Sequence, residues 1–101
     1  MSHPHELLIP LQALANPHAR EFLRAWAVDK GLQVSLISYP DAGVSAWGII
    51  LADILRHVAD AHQQSEGRDR EQTIREIVSV FMAEFELPTD KPHGDLISLT
   101  L

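Results

Sequence analysis

The stretch Glu21-Phe22-Leu23-Arg24-Ala25-Trp26-Ala27-Val28-Asp29-Lys30-Gly31-Leu32-Gln33-Val34-Ser35-Leu36-Ile37-Ser38 decides the fold class. Leu32, Val34 and Leu36 alternate with Gln33 and Ser35, the period of a strand that turns one face to a core. Asp29-Lys30-Gly31 suits a three-residue hairpin loop, a type I turn closed by a left-handed glycine, and makes 22–28 the partner strand. A helix competes for the same residues. Asn16 would be its N-cap and Pro17 its first residue, with Ala19, Phe22, Leu23, Trp26 and Ala27 at helical spacing up to Gly31. Phe22, Trp26 and Val28 favour extended backbone and the turn signal is strong, so the hairpin is preferred, with Asn16 to Arg20 as a helical turn leading into it.

Two amphipathic helices follow. Over 46–64, Trp47, Ile50, Leu51, Ile54, Val58 and Ala61 recur at helical spacing, with Asp53, Arg56, His57, Asp60 and Gln64 on the other side. Ser45 or Asp41 can cap its start and Gly67 can stop it. Over 70–86, Ile74, Ile77, Val78, Phe81 and Phe85 make a second stripe, opposite Glu76, Ser79, Ala83 and Glu86. Asp69 followed by Gln72 reads as a capping-box variant, and Pro88 ends the helix. The short connection folds the helices back as an antiparallel pair whose stripes face one common surface. Leu96-Ile97-Ser98-Leu99-Thr100-Leu101 has strand composition, and Glu6-Leu7-Leu8-Ile9 is a second candidate strand. A lone hairpin is marginal in water, so the sheet calls for a third strand and a helix layer. The expectation is an α+β chain, an antiparallel β-hairpin sheet packed on an antiparallel pair of α-helices in two layers. It forms a single domain over 1–101, irregular at 1–5 and 88–95.

Composition narrows function. With no cysteine, disulfide frameworks, thiolate metal sites and Cys nucleophiles are excluded. Fourteen acidic against eight basic residues leave a net charge of −6, the wrong sign for a phosphate-binding surface, so no nucleic acid is expected. Arg68, Arg70 and Arg75 are diluted by Asp69, Glu71 and Glu76. No window approaches the roughly 18 apolar residues of a membrane span, and the start lacks the order of a signal peptide, so the reading is cytoplasmic with no membrane.

Arg20 to Trp26, Gly31 to Leu36, Ala46-Trp47-Gly48-Ile49-Ile50-Leu51-Ala52-Asp53 with Arg56-His57-Val58-Ala59, and Pro88-Thr89-Asp90 together resemble a small, uncharacterised bacterial domain-of-unknown-function family about as long as this chain. The resemblance spans residues 6 to 94. It implies a free-standing bacterial domain and brings no catalytic residue and no cofactor.

Of the chemistry-bearing groups, Asp53, His57 and Asp60 stand at i, i+4 and i+7 on one helix face and offer oxygen, nitrogen and oxygen ligands. All three come from one helix, whereas closed metal sites draw ligands from facing elements, so ordinary charge pairs explain them more simply. His62 lies in the apolar arc and reads as a core-edge histidine. It follows His57 by five residues, which misses the two-histidine spacing of a zinc-protease helix. His3 and His5 flank Pro4, and His93-Gly94 reads as a turn. Trp26, Tyr39 and Trp47 are the candidate interface aromatics, weighed against core packing. In the hairpin, Phe22, Arg24, Trp26 and Val28 share one face and Leu23, Ala25 and Ala27 the other, so both faces carry apolar side chains and one helix pair covers only one. A homodimer satisfies the remainder. The expected function is therefore a noncatalytic cytoplasmic interaction or regulatory module with a second copy or another protein as partner. The alternative is a small metal- or metabolite-binding protein, conceivably an enzyme, built on Asp53, His57 and Asp60.

Overall fold

A computed structural model of the chain describes residues 3–37 and 43–87 and the backbone of 96–100. Along the chain lie α1 (Leu11–Ala15), β1 (Leu23–Val28), β2 (Gly31–Ile37), α2 (Ala46–Glu66), α3 (Arg70–Glu86) and β3 (Leu96–Thr100). The fold is α+β, with the hairpin and the helix pair that the periodicities require. No helix among the described residues is long and apolar enough to cross a membrane.

The hairpin wins over the competing helix because Asn16 caps a turn instead. Its side-chain Oδ1 accepts the His18 backbone N–H at 2.8 Å and its carbonyl accepts from Ala19 at 3.1 Å, the local bonding that turns asparagine away from helix interiors. The helical turn lies earlier than expected, at α1, and residues 6–9 form no strand. β1 and β2 pair antiparallel from Leu23↔Leu36 to Val28↔Gly31. That register leaves Asp29 and Lys30 as a two-residue loop rather than the three-residue one expected. Asp29 takes the positive φ of 56°, which its short polar side chain tolerates, and Gly31 is released into the strand. β3 supplies the third strand, parallel to β2 with an irregularity between Val34 and Ser35, in the order β1-β2-β3.

α2 starts through turn bonds, Ala46 N–H to Gly43 carbonyl at 3.2 Å and Trp47 N–H to Val44 carbonyl at 3.1 Å. Ser45 makes no side-chain cap, and Asp41 lies outside the described residues. Gly67, at φ +70°, closes α2 as the sequence implies, its N–H reaching the Gln63 carbonyl at 2.9 Å. At α3, Asp69 Oδ2 accepts the Gln72 N–H at 2.9 Å and the Asp69 carbonyl accepts the Thr73 hydroxyl at 2.9 Å. Removing this cap should be felt: Asp69→Ala is expected to lower stability by about 1 kcal/mol, read as a lower urea midpoint with an unchanged slope.

α2 and α3 meet along a narrow seam. Ala59, fully buried at 0% exposure, and Thr73 are the only buried residues among those described, flanked by half-buried Ala52 and Leu55 on α2 and Ile74 and Ile77 on α3. The sheet and the helix pair touch at an edge, where the rings of Phe22 and Trp47 stand 5.9 Å apart. No Cα of either long helix comes within 8 Å of a strand Cα. Among the described residues the two layers therefore do not lie face on face, and each keeps an apolar face that no described part of the other covers.

Candidate interaction surface

The helix pair presents that face most plainly. Small residues, Ala52 and Ala59, occupy the α2 edge that meets α3, and this rotates the larger members of the α2 stripe toward the open side. Leu51, Ile54 and Val58 are exposed there. On α3, positions 78, 81, 82 and 85 follow the i, i+3, i+4, i+7 rule of a single helix face, and all four are apolar and exposed. Phe81 is 51% and Phe85 74% exposed, their rings edge to face at 5.0 Å. Single exposed apolar residues need no explanation, but an unbroken row along one helix marks a candidate contact surface.

The sheet adds a second apolar face. The register places Leu23, Ala25, Ala27, Leu32, Val34 and Leu36 on one side of the hairpin, with Ala25, Ala27 and Leu32 exposed and the other three half-buried. The opposite side carries Arg24 and Trp26 and has a cover of its own. The His3 ring stands edge-on to Trp26 at 5.0 Å, and Arg24 Nη2 reaches Glu6 at 3.5 Å and Glu21 at 2.9 Å. The hydrogen bond and charge of Glu21 raise the Arg24 pKa above its ordinary value. An open hollow between residues 5–14 and β1 contains these same charges, so its polar groups are largely spent on one another.

The candidate metal ligands do not converge. Asp53 and His57 face each other on α2 at 3.5 Å, and Asp53 lies 3.9 Å from Arg56. Asp60 turns instead to α3, where Arg70 Nε donates to its carboxylate at 2.6 Å. That bond and charge raise the Arg70 pKa, with Glu71 adding to the effect. No group of three His, Asp or Glu side chains among the described residues could hold a metal ion. His62 is exposed rather than at the core edge, and its Nδ1 is bonded to the Glu66 carboxylate. This hydrogen bond holds the Glu66 pKa below the usual carboxylate range, and the charges of His62 and Arg68 act in the same direction. Arg68 lies 3.4 Å from Glu66 and 3.9 Å from Glu76, so two of the three clustered arginines are engaged by carboxylates.

The interface aromatics are redistributed. Trp26 and Trp47 are half-buried and occupied within the chain, by His3 and by Phe22. Tyr39 lies outside the described residues, as do His93 and the segment 88–95. The exposed aromatics are Phe81 and Phe85, which the helical period assigns to the core stripe. Their signal was present in the sequence: a sheet apolar on both sides requires more cover than one helix pair supplies.

The chain belongs to the family described as Domain of unknown function (DUF5076), which matches residues 6–89. No curated protein matches the sequence. Among solved structures, one described as that of a "putative pyruvate dehydrogenase from the photosynthetic bacterium Rhodopseudomonas palustrus CGA009" is 29% identical. The match covers 94% of this chain and 97% of that chain, with a TM-score of 0.68.

Proposed function

We propose that the chain is a noncatalytic interaction module of the bacterial cytoplasm that works as a homodimer. The observation carrying this reading is the exposed apolar row along α3, Val78, Phe81, Met82 and Phe85. Ala59 is the only apolar residue buried among those described, while Ile54, Val58, Val78, Phe81, Met82 and Phe85 are exposed. A cytoplasmic setting is part of this reading, and a further protein partner would bind the assembled dimer.

The name of the solved neighbour suggests dehydrogenase chemistry on pyruvate. The described residues supply no converging acid, base and ligand set that favours that reading here. A native mass spectrum of protein purified without chelator tests the proposal. Twice the bare chain mass is expected. A stoichiometric added mass lost on His57→Ala would overturn the noncatalytic reading in favour of a metal- or metabolite-binding protein, and a bare monomer would overturn the homodimer.

A further inference from the structure

We propose that α3 packs antiparallel against α3 of the second copy about a twofold axis, so that the partner's Glu86 stands beside Arg75 and the partner's Arg75 beside Glu86. This rests on the homodimer reading and specifies which element meets which, and in what direction. Val78, Phe81, Met82 and Phe85 are exposed, and with half-buried Ile74 they continue the spacing of a helix-packing seam through three turns. The exposed α2 residues Leu51, Ile54 and Val58 lie on the opposite flank of the helix pair, so the α3 row makes its contact alone. At about 100° per residue, Arg75 and Glu86 fall within roughly 20° of each other on one border of that row. Thr73 and Ile77, on the side of α3 that meets α2, fall on the other border.

Charge and size select the direction. Arg56, Arg68 and Arg70 each lie 3.9 Å or less from a carboxylate of the chain, whereas among the described residues Arg75 and Glu86 make no ion pair. With the twofold axis midway between Val78 and Phe81, antiparallel helices bring their like borders together and set position 75 level with position 84 of the other copy, within reach of position 86. Each Arg75 then meets the carboxylate it lacks within its own chain. A parallel pair instead turns Arg75 toward the other border, where the partner's Arg70 stands. Ion pairs at an exposed border fix orientation more than they add affinity. Side-chain size agrees with charge. In the antiparallel register Phe81 stands opposite the partner's Val78 and Phe85 opposite the partner's Ile74, an aromatic against a smaller aliphatic at each level, as close packing favours. The parallel register stacks Phe81 on Phe81 and Phe85 on Phe85 while leaving Val78 against Val78, so no single helix separation fills every level.

The absence of cysteine gives a clean background for cross-linking. Full chains carrying Arg75→Cys are co-expressed with full chains carrying Glu86→Cys, and the assembled protein is treated with a short bis-maleimide. The two kinds of chain differ in mass, so mass spectrometry identifies each covalent dimer. Light scattering on the untreated mixture reports subunit number. The expected result is a particle of two chains in which the dominant covalent dimer joins one chain of each kind, because antiparallel packing displaces like positions along the axis by about 13 Å or more. Dimers between two chains of the same kind as the dominant product would overturn the proposal in favour of parallel packing. A two-chain particle with no cross-link at all would also overturn it, since the α3 rows would then not meet. Both results leave the homodimer itself standing. A one-chain particle in the untreated mixture would overturn the homodimer and the α3 pairing together.

Discussion

Phe81→Asp is expected to convert the proposed dimer to a monomer without unfolding the helix pair. Phe81 sits at the centre of the exposed α3 row, one turn from both Val78 and Phe85, with its ring against that of Phe85. In the separate chain it is half in water, so a carboxylate there remains solvated and costs the monomer little. In the dimer the same carboxylate would lie against an apolar face, where burying an unpaired charge is prohibitive. Aromatic anchors near the centre of an interface contribute about 2–4 kcal/mol each, which corresponds to a dissociation constant raised roughly 30- to 1,000-fold. Sedimentation equilibrium should show monomer at concentrations where the parent chain is dimeric, with helical circular dichroism retained. Ser79→Asp, on the opposite face of α3, should change neither.

The second large effect belongs to the helix seam. Ala59 has no exposed surface and lies where α2 and α3 approach, close to the capped first turn of α3 that contains Thr73. Ala59→Leu adds three carbon atoms to a seam formed around small residues. Overpacking of this kind costs about 1–3 kcal/mol through displaced rotamers and backbone. Urea unfolding at fixed protein concentration measures it; the concentration must be held because the proposed dimerisation would add to apparent stability by mass action. Splaying the helices also moves the α2 and α3 rows relative to each other, so Ala59→Leu should weaken self-association even though residue 59 is not on the open face. Phe81→Asp, by contrast, should affect association far more than the unfolding of the separated chain.

Much of the architecture was legible because single periodicities carry it. The alternation of Leu32, Val34 and Leu36 identifies β2, the stripes from Trp47 and from Ile74 identify α2 and α3, and Asp69 and Gly67 punctuate them at the positions observed. The turn at Asp29-Lys30 was read one residue too long, since Asp and Gly both tolerate positive φ and the sequence does not say which one adopts it. α1 escaped notice because five residues are too few to show a helical period, and β3 was recognised as a strand without its parallel partner, because pairing direction has no local signature.

The candidate site divided along the same line. Asp53 and His57 pair as their spacing implies, but Asp60 is drawn to Arg70 across the helix turn, a contact that only the folded hairpin creates. Trp26 and Trp47 suggested an interface by residue type alone, yet each is met by a neighbour within the chain. Phe81 and Phe85 were assigned inward because a helical stripe records which side is apolar and carries no information on whether the covering layer comes from the same chain or from another.

Hydroxyl-radical footprinting of Phe81, Met82 and Phe85 across a range of protein concentrations reports whether a second copy covers the exposed row of α3. All three are expected to be oxidised slowly where the protein is dimeric and to become reactive together as dilution releases monomer, while Leu7 and Leu8 on the exposed amino-terminal segment serve as an internal reference. Rapid oxidation of Phe81, Met82 and Phe85 in a sample that sediments as a dimer would contradict it, because the interface would then lie elsewhere.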